Sequence, residues 1–242
     1  MLKESDHKIS CISRRQLIVG GAAVVAAGGL ALPLTGEAGD KAGYPWPYKK
    51  LDLDEVGERA YQSWYGNYCA MAVADGILGS LRDKVGGPYK NFPLEAVRFA
   101  HGGTVGWGTL CGTLFGAGIS TSLVAGIDDG DSIINDVVAW YSAEYLPRFK
   151  PKKPKLAENP ELSRSGSPLC HVSVNKWMKK TGHDFKTSNR KDRCARLAAD
   201  IAMHTAGLLN AWAEDEYEPT HGSQMKTHNM TAQNNCLDCH GS

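Results

Sequence analysis

Cys236-Leu237-Asp238-Cys239-His240 has the C-x-x-C-H spacing of covalent haem attachment. Two thiols three positions apart each form a thioether to a vinyl group of one porphyrin. The imidazole of His240 then lies under the iron as its proximal ligand. The same residues also read as a CxxC redox pair or as half a zinc site. The zinc reading lacks its second half, because no other CxxC occurs in the chain.

Four further cysteines lie outside that motif and outside the first 38 residues: Cys69, Cys111, Cys170 and Cys194. The local pattern puts the first three in the first turn of a helix and Cys194 near the start of another. Helix N-termini carry partial positive charge, which favours thiolate, and thiolate is the form that binds iron. Three fates are open to the set. The four are ligands of an iron–sulfur cluster assembled by the fold, or two disulfides of an oxidising compartment, or buried thiols packing as small hydrophobes.

The elements that must position these residues are helices. From about 52 to 146 the apolar period is helical. Residues 52 to 65 start with acidic side chains that suit a helix N-terminus. Gly66 and Asn67 mark a break, after which Cys69, Val73, Ile77 and Leu81 form one apolar stripe. A short helix over 93–101 ends at Gly102-Gly103. Behind Cys111, Gly112 and Gly116 share a helix face and permit close approach of another backbone. Residues 131–146 form an amphipathic helix stopped by Pro147. Residues 147–168 are basic and Pro-rich and read as a linker. Helix resumes at Ser167-Pro168, an N-cap followed by the favoured first-turn proline, and a long helix spans about 188 to 214. No strand is predicted. Tyr44-Pro45-Trp46-Pro47 is extended, its aromatics packing on the core.

The start of the chain reads as an export leader. Arg14-Arg15 precedes a weak apolar run over 17–32, and Pro33, Gly36 and Ala38 suit cleavage. The run falls short of the roughly 20 apolar residues of a spanning helix, so no membrane span is expected in the mature chain. A twin-arginine leader directs the protein to the periplasm by a route that carries folded proteins. Covalent haem does not require that route, so the leader points to a second cofactor and favours the cluster. The organisation is then a leader over 1–38, a helical domain over 39–146, and a linker over 147–168. A helical pair over 169–216 completes the cluster site, and a haem-binding segment spans 217–242. With 242 residues, 42% apolar, and a net charge of +1, nothing points to nucleic acid.

These residues together resemble the split-Soret cytochrome c family of sulfate-reducing bacteria. The likeness rests on Tyr68-Cys69-Ala70, residues 106–112 around Cys111, residues 169–174, residues 193–197, and the terminal haem motif. The first two stretches also look like a wider group of redox-active proteins with separated Cys and Gly-Cys-Ala signatures. The resemblance implies a mainly α fold and a homodimer with one c-type haem per chain, the haems stacked at the dimer interface. It also implies bis-histidine iron, the distal His coming from the other subunit. The helical domain would carry an iron–sulfur centre, here expected as 2Fe–2S on Cys69, Cys111, Cys170 and Cys194. His171, beside Cys170 in a family-like stretch, is the expected distal ligand, with His228 and His101 as alternatives.

A symmetric pair is also the simplest way to cover a porphyrin that some 25 polar residues cannot bury. The expected function is periplasmic electron transfer with protein redox partners, not catalysis. The alternative is a haem-dependent reductase or peroxidase with an open iron position. A third class is a redox-responsive binding protein whose disulfides carry the signal. No Ser/His/Asp set, phosphate loop or HExxH is present.

Overall fold

The helical part of the chain begins at Asp52, whose carboxylate accepts from Glu55 N at 2.9 Å, while Asp54 and Glu55 add charge to the same turn. In this computed structural model the described residues are 43–222. The leader and Cys236, Cys239, His240 and His228 lie outside them.

Helix α1 runs Leu53–Ala74 with one break, at Tyr68 (φ 61°, ψ −166°). The break follows Gly66 and Asn67, and helix begins afresh at Cys69. It passes through a π-helical turn, Asp75–Gly79, into α2, Ser80–Val85. Cys69, Val73, Ile77 and Leu81 are all buried. Short α3 (Pro88–Asn91) and a 3₁₀ turn (Leu94–Ala100) lead into the loop before α4 (Gly112–Ala125) and α5 (Asp128–Ala143). Two-residue strands β1 (Tyr145–Leu146) and β2 (Ser163–Arg164) pair antiparallel. Helices α6 (Cys170–Thr181) and α7 (Ser188–Ala213) complete the fold.

Helix α7 lies along α1, α4 packs on both, and α5 packs on α4 and α7. The fold is mainly α, and one core runs from Leu51 to Leu209, so residues from 39–146 and 169–216 share it. Trp46 meets Tyr89 edge-on at 5.1 Å and donates its backbone N–H to Leu123 O. At the other end of the described chain, Asp136 on α5 accepts from Tyr217 Oη, Thr220 N and His221 N, each at 2.9 Å.

The structure departs from the sequence reading in three places. The short β ladder was not predicted. Helix α6 starts at Cys170 with Leu169 as its cap residue, not at Ser167-Pro168. Pro168 O is taken by Cys111 N, and Leu169 pairs antiparallel with Leu110, so 168–169 are held extended. The basic stretch after Pro147 is tied down by Arg196. That guanidinium, 1% exposed, donates to Asp192 at 2.7 Å, to Asn159 Oδ1 at 2.7 Å and to Leu156 O at 3.0 Å. Asp192 also accepts from Tyr61 at 2.5 Å and Tyr65 at 2.7 Å.

Truncating one member of a buried ion pair leaves the other charge unpaired, at a cost of about 3–5 kcal/mol. Arg196→Met is expected to lower stability to urea by that order and to make residues 149–159 the first site of proteolysis.

His204 on α7 stacks on Trp140 of α5, ring centroids 4.0 Å apart. Burial lowers its pKa from 6.5 to about 4, against an opposing pull from Asp136 and Glu144. The unfolded chain therefore holds a proton that the native state releases between those values. Stability is lost as pH falls from about 6.5 to about 4. Thermal melts of His204→Phe across that window are expected to show a flatter pH dependence than the parent.

Candidate metal centre

Four free thiols, Cys69, Cys111, Cys170 and Cys194, are brought together from four helices. Their meeting starts with backbone pairing. Residues 108–111 run against 168–171 through Cys111 N to Pro168 O at 2.9 Å, Cys170 N to Thr109 O at 2.7 Å and His171 N to Gly108 O at 3.2 Å. This places Cys111, the cap residue of α4, beside Cys170, the first residue of α6.

Glycine lets Cys69 join them. A Cβ on Gly112 would overlap the Ala100 carbonyl and sit 2.8 Å from Cys69 Cβ, and one on Gly116 would overlap Ala70 O. Both glycines act as the sequence predicts, letting α4 press against the part of α1 that restarts at Cys69. Tyr68, a non-glycine at positive φ just before it, holds a sparsely populated conformation that costs of order 1–3 kcal/mol. The break frees the N–H groups of a helix start beside the sulfur. Cys194 sits near the start of α7, as expected, in its second turn. It reaches the set through its position on the buried face.

The loop between is unusual in its backbone. Six of the seven residues 102–108 have positive φ, Thr104 and Val105 among them. Gly108 needs its lack of a side chain, since a Cβ there would lie 2.8 Å from His171 Cβ. The loop wraps back by bonds such as Gly108 N to Gly102 O at 3.0 Å.

The four thiols act on each other electrically. A hydrogen bond from Cys170 lowers the Cys111 pKa to about 6 against the effect of burial, helped by Thr113 Oγ1 at 3.1 Å and by Tyr141. The same shared proton raises Cys170 far above the ordinary thiol range, with burial adding to it. Burial pushes Cys69 up to about 12, and charge on Cys111 and Cys194 pushes the same way. Cys111 is thus favoured as thiolate, while ionisation of Cys69 and Cys170 is opposed until positive charge enters the pocket.

The walls of the pocket supply donors. Among the described residues, the buried side-chain polar atoms without a partner include Trp64 Nε1, Tyr141 Oη and Arg193 Nε. All three belong to side chains that act on the cysteines: Trp64 on Cys69, Tyr141 on Cys111, and Arg193 on Cys194. Buried donors rarely go unpaired. Three around one sulfur set fit an anionic centre with more acceptor capacity than four thiols have. An iron–sulfur cluster held by four thiolates has that chemistry. No three His, Cys, Asp or Glu side chains among the described residues are grouped to hold one ion. A two-iron centre takes two thiolates per iron and needs no such trio.

His171 lies at the rim. Its side chain is exposed, with Nδ1 3.0 Å from Gly108 O. His101 is 5.4 Å from the Tyr68 ring, centroid to centroid. The haem motif and His228 fall outside the described residues. Trp64, Tyr141, Ser173 and Arg193 were missed in the sequence. Arg193 and Arg196 were legible as charges on the otherwise apolar face of α7, where a burial cost demands a partner.

Residues 68–208 match the family described as "Putative redox-active protein (C_GCAxxG_C_C)". Cys69, Cys111, Cys170 and Cys194 all fall within that span, in the order of the four cysteines that the description spells out. Around the second, Leu110 and Gly112 stand where the description has Gly and Ala. The chain is 31% identical to split-Soret cytochrome c of Desulfovibrio desulfuricans (strain ATCC 27774 / DSM 6949 / MB), over 95% of this chain and 87% of the relative. A solved structure of split-Soret cytochrome c from Desulfovibrio desulfuricans ATCC 27774, in which a novel iron centre is described, superimposes with a TM-score of 0.70. It is 30% identical and covers 81% of this chain and 82% of its own.

Gly112→Ala and Gly118→Ala test the close approach within one helix. A Cβ on Gly118 meets only Ile134 atoms at 3.5 Å and beyond. Gly112→Ala is expected to destabilise by about 1–3 kcal/mol and Gly118→Ala to stabilise by about 0.5–1 kcal/mol. Urea unfolding of the two variants measures both signs.

Proposed function

Since the chain belongs to the split-Soret cytochrome c family, we propose that it is a multi-centre c-type cytochrome that passes electrons between protein redox partners. One centre is an iron–sulfur cluster, 2Fe–2S, on Cys69, Cys111, Cys170 and Cys194. The other is a haem joined to Cys236 and Cys239, with His240 as proximal ligand. The observation that carries the reading is the convergence of four free thiols in a buried pocket rimmed by unpaired donors. The solved relative's iron centre and its cytochrome c identity support it. Bound there, the cluster would supply reversible one-electron storage.

His171 is the residue we assign as distal haem ligand, given by the partner subunit. Support comes from its hydrogen bond. With Nδ1–H donated to Gly108 O, the tautomer is set and Nε2 keeps its lone pair for iron, as second-shell partners do for metal-bound histidines. The loop to which His171 is bonded and the turn before it expose large apolar side chains: Val105 56%, Trp107 81% and Leu110 40% in the loop, and Phe99 46% in the turn. Exposed apolar surface of this kind marks an interaction face, and a second copy bearing a stacked haem fits it, making the protein a homodimer. His171 and Cys170 are consecutive, which gives a short path between the centres. His101 and His228 are the other candidates.

Two histidines on one iron leave no position for substrate, so an electron carrier is favoured over a reductase or peroxidase. The twin-arginine leader over 1–38 points to a periplasmic protein. No helix among the described residues is long and apolar enough to cross a membrane.

Analysis of non-haem iron and acid-labile sulfide, with optical and EPR spectra, tests this. Cys111→Ser is expected to lose the sulfide while keeping haem. His171→Ala is expected to turn low-spin haem high-spin and open it to carbon monoxide. Wild-type protein with non-haem iron near zero overturns the cluster, and rapid carbon monoxide binding by the wild type overturns the carrier in favour of the enzyme.

A further inference from the structure

Among the described residues, Arg193 is the one side chain acting on the cysteine pocket whose charge cannot be switched off. A guanidinium stays protonated throughout the accessible pH range. This one is 2% exposed. It donates to Ser173 Oγ at 2.8 Å and lies 3.9 Å from Cys194 Sγ, while its Nε has no partner. Among the described residues no carboxylate is within ion-pair distance of it. Neighbouring Asp192 is spent on Tyr61, Tyr65 and Arg196. Asp200, farther along α7, feels the charge but accepts from the backbone of Arg148 and Phe149.

An unpaired buried charge is costly, so the arrangement makes sense only if negative charge sits in the pocket. Trp64 Nε1 and Tyr141 Oη, which lack a hydrogen bond of ordinary geometry, lie near enough to Cys69 and Cys111 to favour their ionised forms. Resting on the cluster reading above, we propose that Arg193, with Trp64 and Tyr141, forms a donor shell that sets the reduction potential of the sulfur centre, Arg193 being its fixed counter-charge. The three are positioning residues and neither bind iron nor exchange protons. One electron entering the centre adds one negative charge beside a guanidinium that is already in place. The reduced state therefore gains more than the oxidised state from Arg193, and the potential is held up. The two neutral donors act in the same direction with less force, since hydrogen bonds to the sulfurs are a recognised control of such potentials.

The test is potentiometric titration with dithionite, followed by EPR, on the full protein and on Arg193→Met, Arg193→Lys, Tyr141→Phe and Trp64→Phe. Non-haem iron and sulfide are measured on each. Arg193→Met is expected to load iron and to lower the equilibrium constant for one-electron reduction at least tenfold, a shift of about 59 mV to more negative potential. Arg193→Lys should recover part of that loss, and the two neutral variants should shift less in the same direction. Fully loaded Arg193→Met with an unmoved or raised potential overturns the proposal. If that variant does not fold, unmoved potentials in both Tyr141→Phe and Trp64→Phe overturn it instead. Wild-type protein without acid-labile sulfide overturns this proposal together with the cluster reading, so the two failures are told apart.

Discussion

The pairing of residues 108–111 against 168–171 is the constraint that the rest of the site obeys. Three backbone hydrogen bonds across it join a loop of α4 to the start of α6, more than fifty residues away in the sequence. They fix Cys111 beside Cys170 and set His171 on the outer edge of the same pair. Without them Ser167-Pro168 would be free to open α6 two residues early. Everything else converges on this pair. Gly112 and Gly116 let α4 close on Cys69, and α7 brings Cys194 as it packs along α1. A short antiparallel contact thus does in this helical protein what a CxxC does in smaller metal sites: it guarantees that two thiols meet.

What the thiols meet is a pocket built for negative charge. Four thiols could pack as small hydrophobes in an apolar wall, or oxidise in pairs. The walls here are different. One guanidinium N–H, that of Arg193 Nε, an indole N–H and a phenol O–H are left without acceptors at their edges. Each costs free energy in a buried site unless an anion answers it. The depressed pKa of Cys111 and the raised values of Cys69 and Cys170 say the same thing from the sulfur side: Cys111 is favoured as thiolate, and Cys69 and Cys170 need added positive charge to ionise. Bound iron would supply that charge, and the donors would answer the remainder. Polar groups on both sides of the balance are incomplete until then.

Much of this was legible in the sequence, and the illegible parts share a cause. Glycines at 112 and 116, the break at Gly66-Asn67 and the stripe from Cys69 to Leu81 depend on local spacing, so they could be read. Three cysteines at helix starts could be read for the same reason. The start of α6 was misplaced because a tertiary contact, Leu110 against Leu169, overrode good local capping chemistry. The stretch after Pro147 looked like a solvated linker because its composition is basic and Pro-rich; it is held by Arg196, a residue about forty positions later that reads as surface charge. Arg193 was missed in the same way. Two arginines and two aspartates on one face of α7 conflicted with its apolar period. That conflict was itself the available signal, since buried charges are kept only where they have partners.

The arrangement also explains why the rim differs from the interior. Inside, Cys69, Cys111 and Cys194 are buried; outside, the loop exposes Trp107 and Val105, and the turn before it Phe99. A chain folding alone gains nothing from placing those side chains in water, and Thr104 and Val105 are held at positive φ to do so. Strain of that kind persists where surrounding contacts over-determine it. Here they do, because Gly103 O accepts from Thr109 N and Gly102 O from Gly108 N. The loop is consequently held in shape by its own backbone bonds, and His171, hydrogen-bonded to it, is presented in one tautomer on one side of that loop. Presentation of this kind reduces what the side chain must reorganise on binding. One loop, bent once, therefore serves two ends: it closes over the cysteines with its backbone and turns an imidazole and apolar rings outward.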